Sequence, residues 1–380
     1  MSSTALIDTL WRERYNEITM KQGKKKFIIG LTGKIGAGKS LVRAMLEHLG
    51  VFGIDADALS RAVLDDESLQ AKVVDTFGLT ILDQKGNIDR AELARIVFSE
   101  QKALKKLEAL LHPPIIKKTR DLVHASRLPI IAIEAIKLLE SDMANMCDVV
   151  WVADANERVV LDRLADFRGL SPDEAKSRLA NQADLAEKFS EADVLINNSG
   201  SVLETWHQVK GALEHLQAER PNIAGRIFAE ASKDLVTPDT DYVDAVIARL
   251  PHLQPHSPAL TTEIIMQDPY RAICTHFFFN HVAPGGDQCL TAWERSLRDF
   301  TLLHSEKAGC LSKEMLQPML SGVERFAALF LAHALLVPIN KENAAGWEGN
   351  LPGSFTQIID LGEEEHPGKA GYNLYRKAIE

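Results

Sequence analysis

Cysteine is scarce in this chain: four residues in 380, none of them in a CxxC pair. That excludes a disulfide-built scaffold and fits a reducing compartment. Basic charge is also in short supply. Lys and Arg total 43 against 53 Asp and Glu, a formal net charge of −10, so the basic face of a dedicated nucleic-acid or membrane-surface binder is lacking. No apolar run is long enough for a bilayer span. The longest, Phe326–Ile339, carries His333 and Pro338 and is expected to form a buried helix. Residues 1–26 place Trp11, Arg12, Glu13 and Arg14 where a secretory leader needs an apolar stretch, so no leader is expected. What is present, 46% hydrophobic and 25% charged residues, is the balance of a globular protein with a sizeable core. The length predicts two domains or three, and a cytoplasmic location is expected.

The basic excess is confined to residues 1–26, including Lys24, Lys25 and Lys26, which read as an N-terminal extension. From Phe27 short apolar runs alternate with amphipathic stretches. Runs at 27–31, 51–54, 128–133, 149–152 and 194–196 read as strands. Segments 39–49, 57–64, 68–77, 89–98, 101–110, 114–125 and 156–166 read as helices. Strands separated by helices require crossovers, so residues 27–216 are expected to form an α/β domain, a three-layer sandwich with a parallel sheet. Glu219-Arg220-Pro221-Asn222 ends this region, and the proline-rich stretch 251–258 marks 217–258 as a linker. Residues 289–304 and 311–337 carry aromatic and leucine faces that predict helices, so 259–380 is expected to be a separate, mostly helical domain.

Chemistry is concentrated in Gly33-Lys34-Ile35-Gly36-Ala37-Gly38-Lys39-Ser40, which satisfies G-x-x-x-x-G-K-[ST] between an apolar strand and an amphipathic helix. Glycines let several backbone N–H groups converge at a helix N-terminus into an anion nest. Lys39 supplies charge to the β- and γ-phosphates of a nucleotide such as ATP, and the Ser40 hydroxyl suits Mg²⁺. The next strand ends in Asp55-Ala56-Asp57. Two readings stand for these carboxylates: acid–base groups facing the γ-phosphate, or a turn and N-cap leading into the following helix.

Taken together, GLTGKIGAGKS (30–40), LGVFGIDADALSR (49–61), DRAELARIVF (89–98), LEALLHPPI (107–115), RLADFRGLSPDEAKSRLANQ (163–182) and ADVLINNSGS (192–201) resemble the dephospho-coenzyme A kinases, in order and spacing. The resemblance covers residues 27 to about 216. It implies a P-loop fold with a helical lid and acceptor region, and transfer of the γ-phosphoryl of ATP to the ribose 3′-hydroxyl of dephospho-coenzyme A. It also implies a base at Asp57, with Lys39 and Arg163 as further catalytic groups. By the same resemblance the nucleotide contacts residues 33–40 together with Leu41, Arg168 and Asn198. The acceptor would meet Asp57, Arg61, His112, Glu140, Arg178 and Gln182. The chain departs from the family pattern at Lys34, at Leu41, at Lys137 near the acceptor, and at Arg168, which directly precedes Gly169. A kinase of another acceptor, such as a nucleoside, and a non-catalytic ATP-binding regulator remain as alternatives.

Residues 217–380 carry no recognisable motif. Cys274, His276, His281 and Cys289 lie within 16 residues, where a zinc site is an alternative, but their spacing matches no zinc finger, and Phe277-Phe278-Phe279 between them reads as core. The apolar faces of 311–337 read most simply as packing within this domain or against the kinase domain, and self-association or partner binding, a regulatory module and a second enzyme stay open for this region.

Overall fold

The computed structural model describes residues 26–180, 190–220, 228, 231–240, 242–255, 268–283, 285–297, 299–306, 313–340, 351, 353–361 and 372–379. The N-terminal extension other than Lys26 lies outside these residues, as does Gln182. Contacts divide the chain into two compact units. One draws on Met1–Ser40, Gly53–Ala125 and Ile131–Ser199, the other on Leu41–Phe52, Ser126–Ile130 and Gly200–Glu380.

The first unit is organised by a five-stranded parallel sheet, order β2-β3-β1-β4-β5. Its strands are β1 (Phe27–Thr32), β2 (Phe52–Asp55), β3 (Ile130–Glu134), β4 (Val149–Asp154) and β5 (Val194–Asn197). Every residue of β1 and β3 is buried, the signature of strands covered on both faces. A buried branched side chain in such a sheet contributes about 1.5–3 kcal/mol. The helices between the strands are α1 (Lys39–His48), which belongs to the second unit from Leu41 onward, α2 (Ala56–Val63), α3 (Glu67–Phe77), α4 (Arg90–Ser99), α5 (Gln101–Ala125), α6 (Glu157–Arg168) and α7 (Pro172–Ala180). The proline pair at 113–114 predicts a break, yet α5 runs through both prolines. Leu107, Ile115, Thr119 and Val123 are buried along it, and that packing outweighs the intrahelical bonds the prolines cannot make.

The second unit corrects the expectation of a mostly helical region. It contains α8 (Val202–Glu219), α9 (Val243–Ile247), β6 (Gln254–Pro255), α10 (Pro269–Thr275), β7 (Phe277–Val282), β8 (Gln288–Arg295), β9 (Asp299–Ser305), α11 (Lys313–Leu329), β10 (Ala334–Asn340), β11 (Thr356–Leu361) and β12 (Tyr372–Ala378). Six strands run in the order β11-β12-β10-β9-β8-β7, and β6 pairs with β9. β9 and β10 are parallel, with α11 as their crossover, and the neighbouring pairs are antiparallel. Residues 289–304 are therefore strands. Cys289–Trp293 are consecutively buried, so no two-residue alternation marks them and periodicity cannot separate them from a buried helix. The apolar run 326–339 is likewise split: α11 ends at Leu329, Leu331 turns with φ 57, and β10 begins at Ala334. Phe277, Phe300, Phe326 and Phe330 pack with centroids 5.1–6.4 Å apart. Cys274 and Cys289 are fully buried, and the ring of His281 lies 3.3 Å through Nε2 from the Thr291 hydroxyl. Among the described residues no helix is long and apolar enough to cross a membrane.

Candidate functional site

The glycine-rich loop leaves the buried end of β1 and enters α1 at Lys39. Its backbone is possible only for the residues it has. Gly33 has φ 147, and a Cβ there would lie 2.2 Å from the Ala153 carbonyl oxygen. Gly38 has φ 91, and a Cβ there would meet the Asn198 amide nitrogen at 1.9 Å. Gly38→Ala is accordingly expected to weaken ADP binding roughly tenfold or more, since left-handed backbone alone costs about 1–2 kcal/mol. A calorimetric titration giving an unchanged affinity would contradict the loop geometry.

Two contacts hold the loop from behind. The buried Asn198 donates through Nδ2 to Ala37 O at 2.9 Å, and its backbone carbonyl accepts from Arg163 Nη2 at 2.9 Å. Asn198, matched by resemblance to a nucleotide contact, thus spends its side-chain amide on the phosphate loop, and Arg163 is drawn to the same place from α6. Lys39 is 6% exposed and donates from Nζ to Lys34 O at 3.1 Å, which lays its ammonium across the loop. Ser40 donates from Oγ to Glu134 Oε1 at 2.7 Å.

Glu134 was missed as a site residue. It ends β3, 94 positions from Ser40, and its signal in the sequence is a lone acid closing a fully apolar strand, IIAIE. A buried carboxylate beside a hydroxyl at the mouth of a phosphate loop is a set of hard oxygen donors, the kind that suits Mg²⁺.

Asp55 and Asp57 separate by environment. Asp55 is the N-cap of α2, its Oδ1 accepting from Ala58 N at 2.7 Å, so the capping reading describes it. Asp57, in the first turn of α2, is half-buried. Burial and the nearby Asp55 and Glu134 carboxylates raise its pKa above the ordinary aspartate value, while Lys39 and Arg61 pull it down. A carboxylate so placed is a better proton acceptor than a free one.

Asp57 also borders a cavity of about 180 Å³ lined by Ser60, Glu108, His112, Ala135, Lys137 and Met143 among others. The structure therefore brings Asp57 and His112 into one concavity. Lys137 lies there too, ion-paired to Glu108 at 2.5 Å. Arg61 and Glu140 are exposed and do not line this cavity. Arg178 is exposed in the last turn of α7. Arg168 closes α6, and its side chain lies outside the described part.

A phosphate loop, a partly desolvated carboxylate and a cavity stand at the carboxyl ends of the strands, where ligands bind in open α/β sheets, and these are the parts that phosphoryl transfer uses. The dephospho-CoA kinase family model matches residues 27–204. A dephospho-CoA kinase from Carboxydothermus hydrogenoformans is 40% identical over 191 residues, which are 49% of this chain and 93% of the relative. One from Shouchella clausii is 39% identical over 189 residues, 49% of this chain and 96% of the relative. A solved dephospho-CoA kinase from Campylobacter jejuni aligns at 27% identity and a TM-score of 0.39, over 50% of this chain and 98% of that one. By its match to relatives covered almost from end to end, the chain belongs to the dephospho-CoA kinase family.

Proposed function

We propose that this chain transfers the γ-phosphoryl group of ATP to the ribose 3′-hydroxyl of dephospho-coenzyme A, giving coenzyme A and ADP. The observation that carries the reading is the place of Asp57: within electrostatic reach of Lys39 on one side and on the wall of the His112 cavity on the other.

In this mechanism the loop amides and Lys39 receive the β- and γ-phosphates. The ribose enters the cavity with its 3′-hydroxyl toward Asp57. Asp57 accepts the hydroxyl proton as the oxygen bonds to the γ-phosphorus, and the bond from that phosphorus to the bridging oxygen of ADP breaks in line. Arg163, held by the Asn198 carbonyl, sets its guanidinium beside the loop, where charge develops on the transferring group. Arg168 would meet the nucleotide, Arg178 and Gln182 would meet the acceptor, and Arg61 and Glu140 would meet it outside the cavity. Ser40 and Glu134 would hold Mg²⁺, which when bound neutralises phosphate charge. Phosphoryl transfer asks mainly for positioning and charge compensation, and these residues supply both.

A coupled ADP-release assay tests the acceptor. With dephospho-coenzyme A the chain should turn over with kcat in the range of about 1–100 s⁻¹ usual for kinases, and adenosine or other nucleosides should give rates at least a hundredfold lower. Comparable rates with nucleosides would contradict the assignment.

A further inference from the structure

The named relatives are matched over 93% and 96% of their length by about half of this chain, so the kinase fold exists elsewhere without a counterpart of the remaining residues. Here the second compact unit includes Leu41–Phe52 along with Gly200–Glu380. Those twelve residues are the body of α1, the turn after it and the first residue of β2.

One side chain grips both elements. Arg295, at the end of β8, donates from Nη1 to Glu47 Oε1 at 2.5 Å, the two side chains being 13% and 4% exposed. The same guanidinium lies over the Phe52 ring at 5.3 Å and the Phe330 ring at 5.0 Å. The two rings stack at 6.1 Å. Beside it the His48 ring stacks on Phe277, centroids 4.8 Å apart and 9° from parallel. Glu47 carries a second partner, Arg43 at 2.7 Å. Despite full burial the two arginines hold its carboxyl below the ordinary glutamate range, so the carboxylate is charged and depends on both.

Glu47 and His48 form the last turn of the helix that Lys39 and Ser40 open. Phe52 starts the strand that ends in Asp55, two residues before the proposed base. A ten-residue helix is a rigid rod about 15 Å long, and a four-residue buried strand moves as a piece. Fixing Glu47 against Phe52 therefore fixes the phosphate-binding end of α1 relative to Asp57. We infer that Arg295 is a positioning residue for phosphoryl transfer. Through Glu47 and Phe52 it sets the register between the phosphate loop and the catalytic carboxylate, and this is a function of the C-terminal residues.

The inference rests on the kinase reading only in placing nucleotide at the loop, so ADP binding tests it apart from the identity of the acceptor. The test compares the full chain with Arg295→Met, Arg295→Lys and the double variant Glu47→Gln/Arg295→Met, which removes both buried charges and spares the fold an unpaired carboxylate. Calorimetry gives the ADP dissociation constant, steady-state kinetics gives kcat and the KM for ATP, and scanning calorimetry gives the melting temperature. The double variant should unfold cooperatively, bind ADP about tenfold more weakly and raise the KM for ATP by a similar factor. Arg295→Lys keeps the charge without the planar stack, and should recover part of the loss. Phe330→Leu, which keeps both charges and thins the stack, supplies a milder variant should Arg295→Met fail to fold, and should weaken ADP binding about threefold. Folded variants whose ADP affinity, KM and kcat all stay within twofold of the parent, whatever their melting temperatures, would overturn the inference. A parent chain that binds ADP but does not turn over dephospho-coenzyme A would overturn only the acceptor assignment.

Discussion

Asp57→Asn should lower kcat by about 10²–10⁴-fold, the span of a lost general base, and leave the affinity for ATP close to that of the parent. The substitution is isosteric, and the bonds that shape the loop are made by other residues: Lys39 points to Lys34 O, Ser40 to Glu134, and the cap of α2 belongs to Asp55. The effect thus falls on the chemical step. Two further consequences follow from the raised pKa, whose first cause is burial. The parent should lose kcat on acidification at a pH above the ordinary aspartate value, and the variant should lack that limb. On stability, the folded state holds the Asp57 proton to higher pH than the unfolded chain does. Stability therefore declines as pH rises from the unfolded pKa through the raised folded one, and stays lowered at neutrality. The amide removes that loss, so Asp57→Asn should melt no lower than the parent at pH 7. A variant that keeps most of its turnover would remove Asp57 as the base.

Lys39→Met should be at least as severe. The side chain is nearly inaccessible and laid across the loop, where the proposed charge-assisted contact to phosphate would be made away from bulk water. Losing one such group costs about 10²–10³ in rate, and kcat/KM for ATP should fall by at least that much. Its second signature is more specific. Lys39 is one of the groups pulling the Asp57 pKa down, so removing it should move the acid limb of the residual activity to still higher pH. A limb that stays where it was in the parent would show that the two groups do not sense each other, against the geometry.

The loop was legible because its chemistry is local: a sharp anion nest requires glycine at Gly33 and Gly38, and both the spacing and the strand–helix setting lie within a dozen residues. The burial of β1 and β3 was legible as continuous apolar runs. What pairs with the loop was not. Ser40 meets Glu134 and Ala37 meets Asn198 across 94 and 161 positions, and no local pattern announces which acid or amide will return to a given turn. The division of labour between Asp55 and Asp57 was open for a similar reason. Both suit a cap, and the sequence alone does not say which carboxylate is desolvated. β7 and β8 were hidden because runs of consecutive residues in them are buried. The five buried residues of β8 show no alternation, so aromatic and leucine spacing over 289–304 resembled a helix, and the FFF run of β7 read only as core. The contact of Arg295 with Glu47, 248 positions apart, was equally beyond reach. A lone arginine at the end of an apolar run reads as a solvated end until the partner is seen.

In the proposed mechanism one carboxylate, that of Asp57, stands between the nucleotide loop and the acceptor. That placement is tested most directly by a crystal structure of the chain with a non-hydrolysable ATP analogue and dephospho-coenzyme A. The ribose 3′-oxygen should lie within hydrogen-bond reach of the Asp57 carboxylate, about 2.6–3.2 Å, with the γ-phosphate on the Lys39 side and the sugar against His112. A ribose bound away from that cavity, or a 3′-oxygen facing another base while Asp57 stays empty-handed, would contradict it.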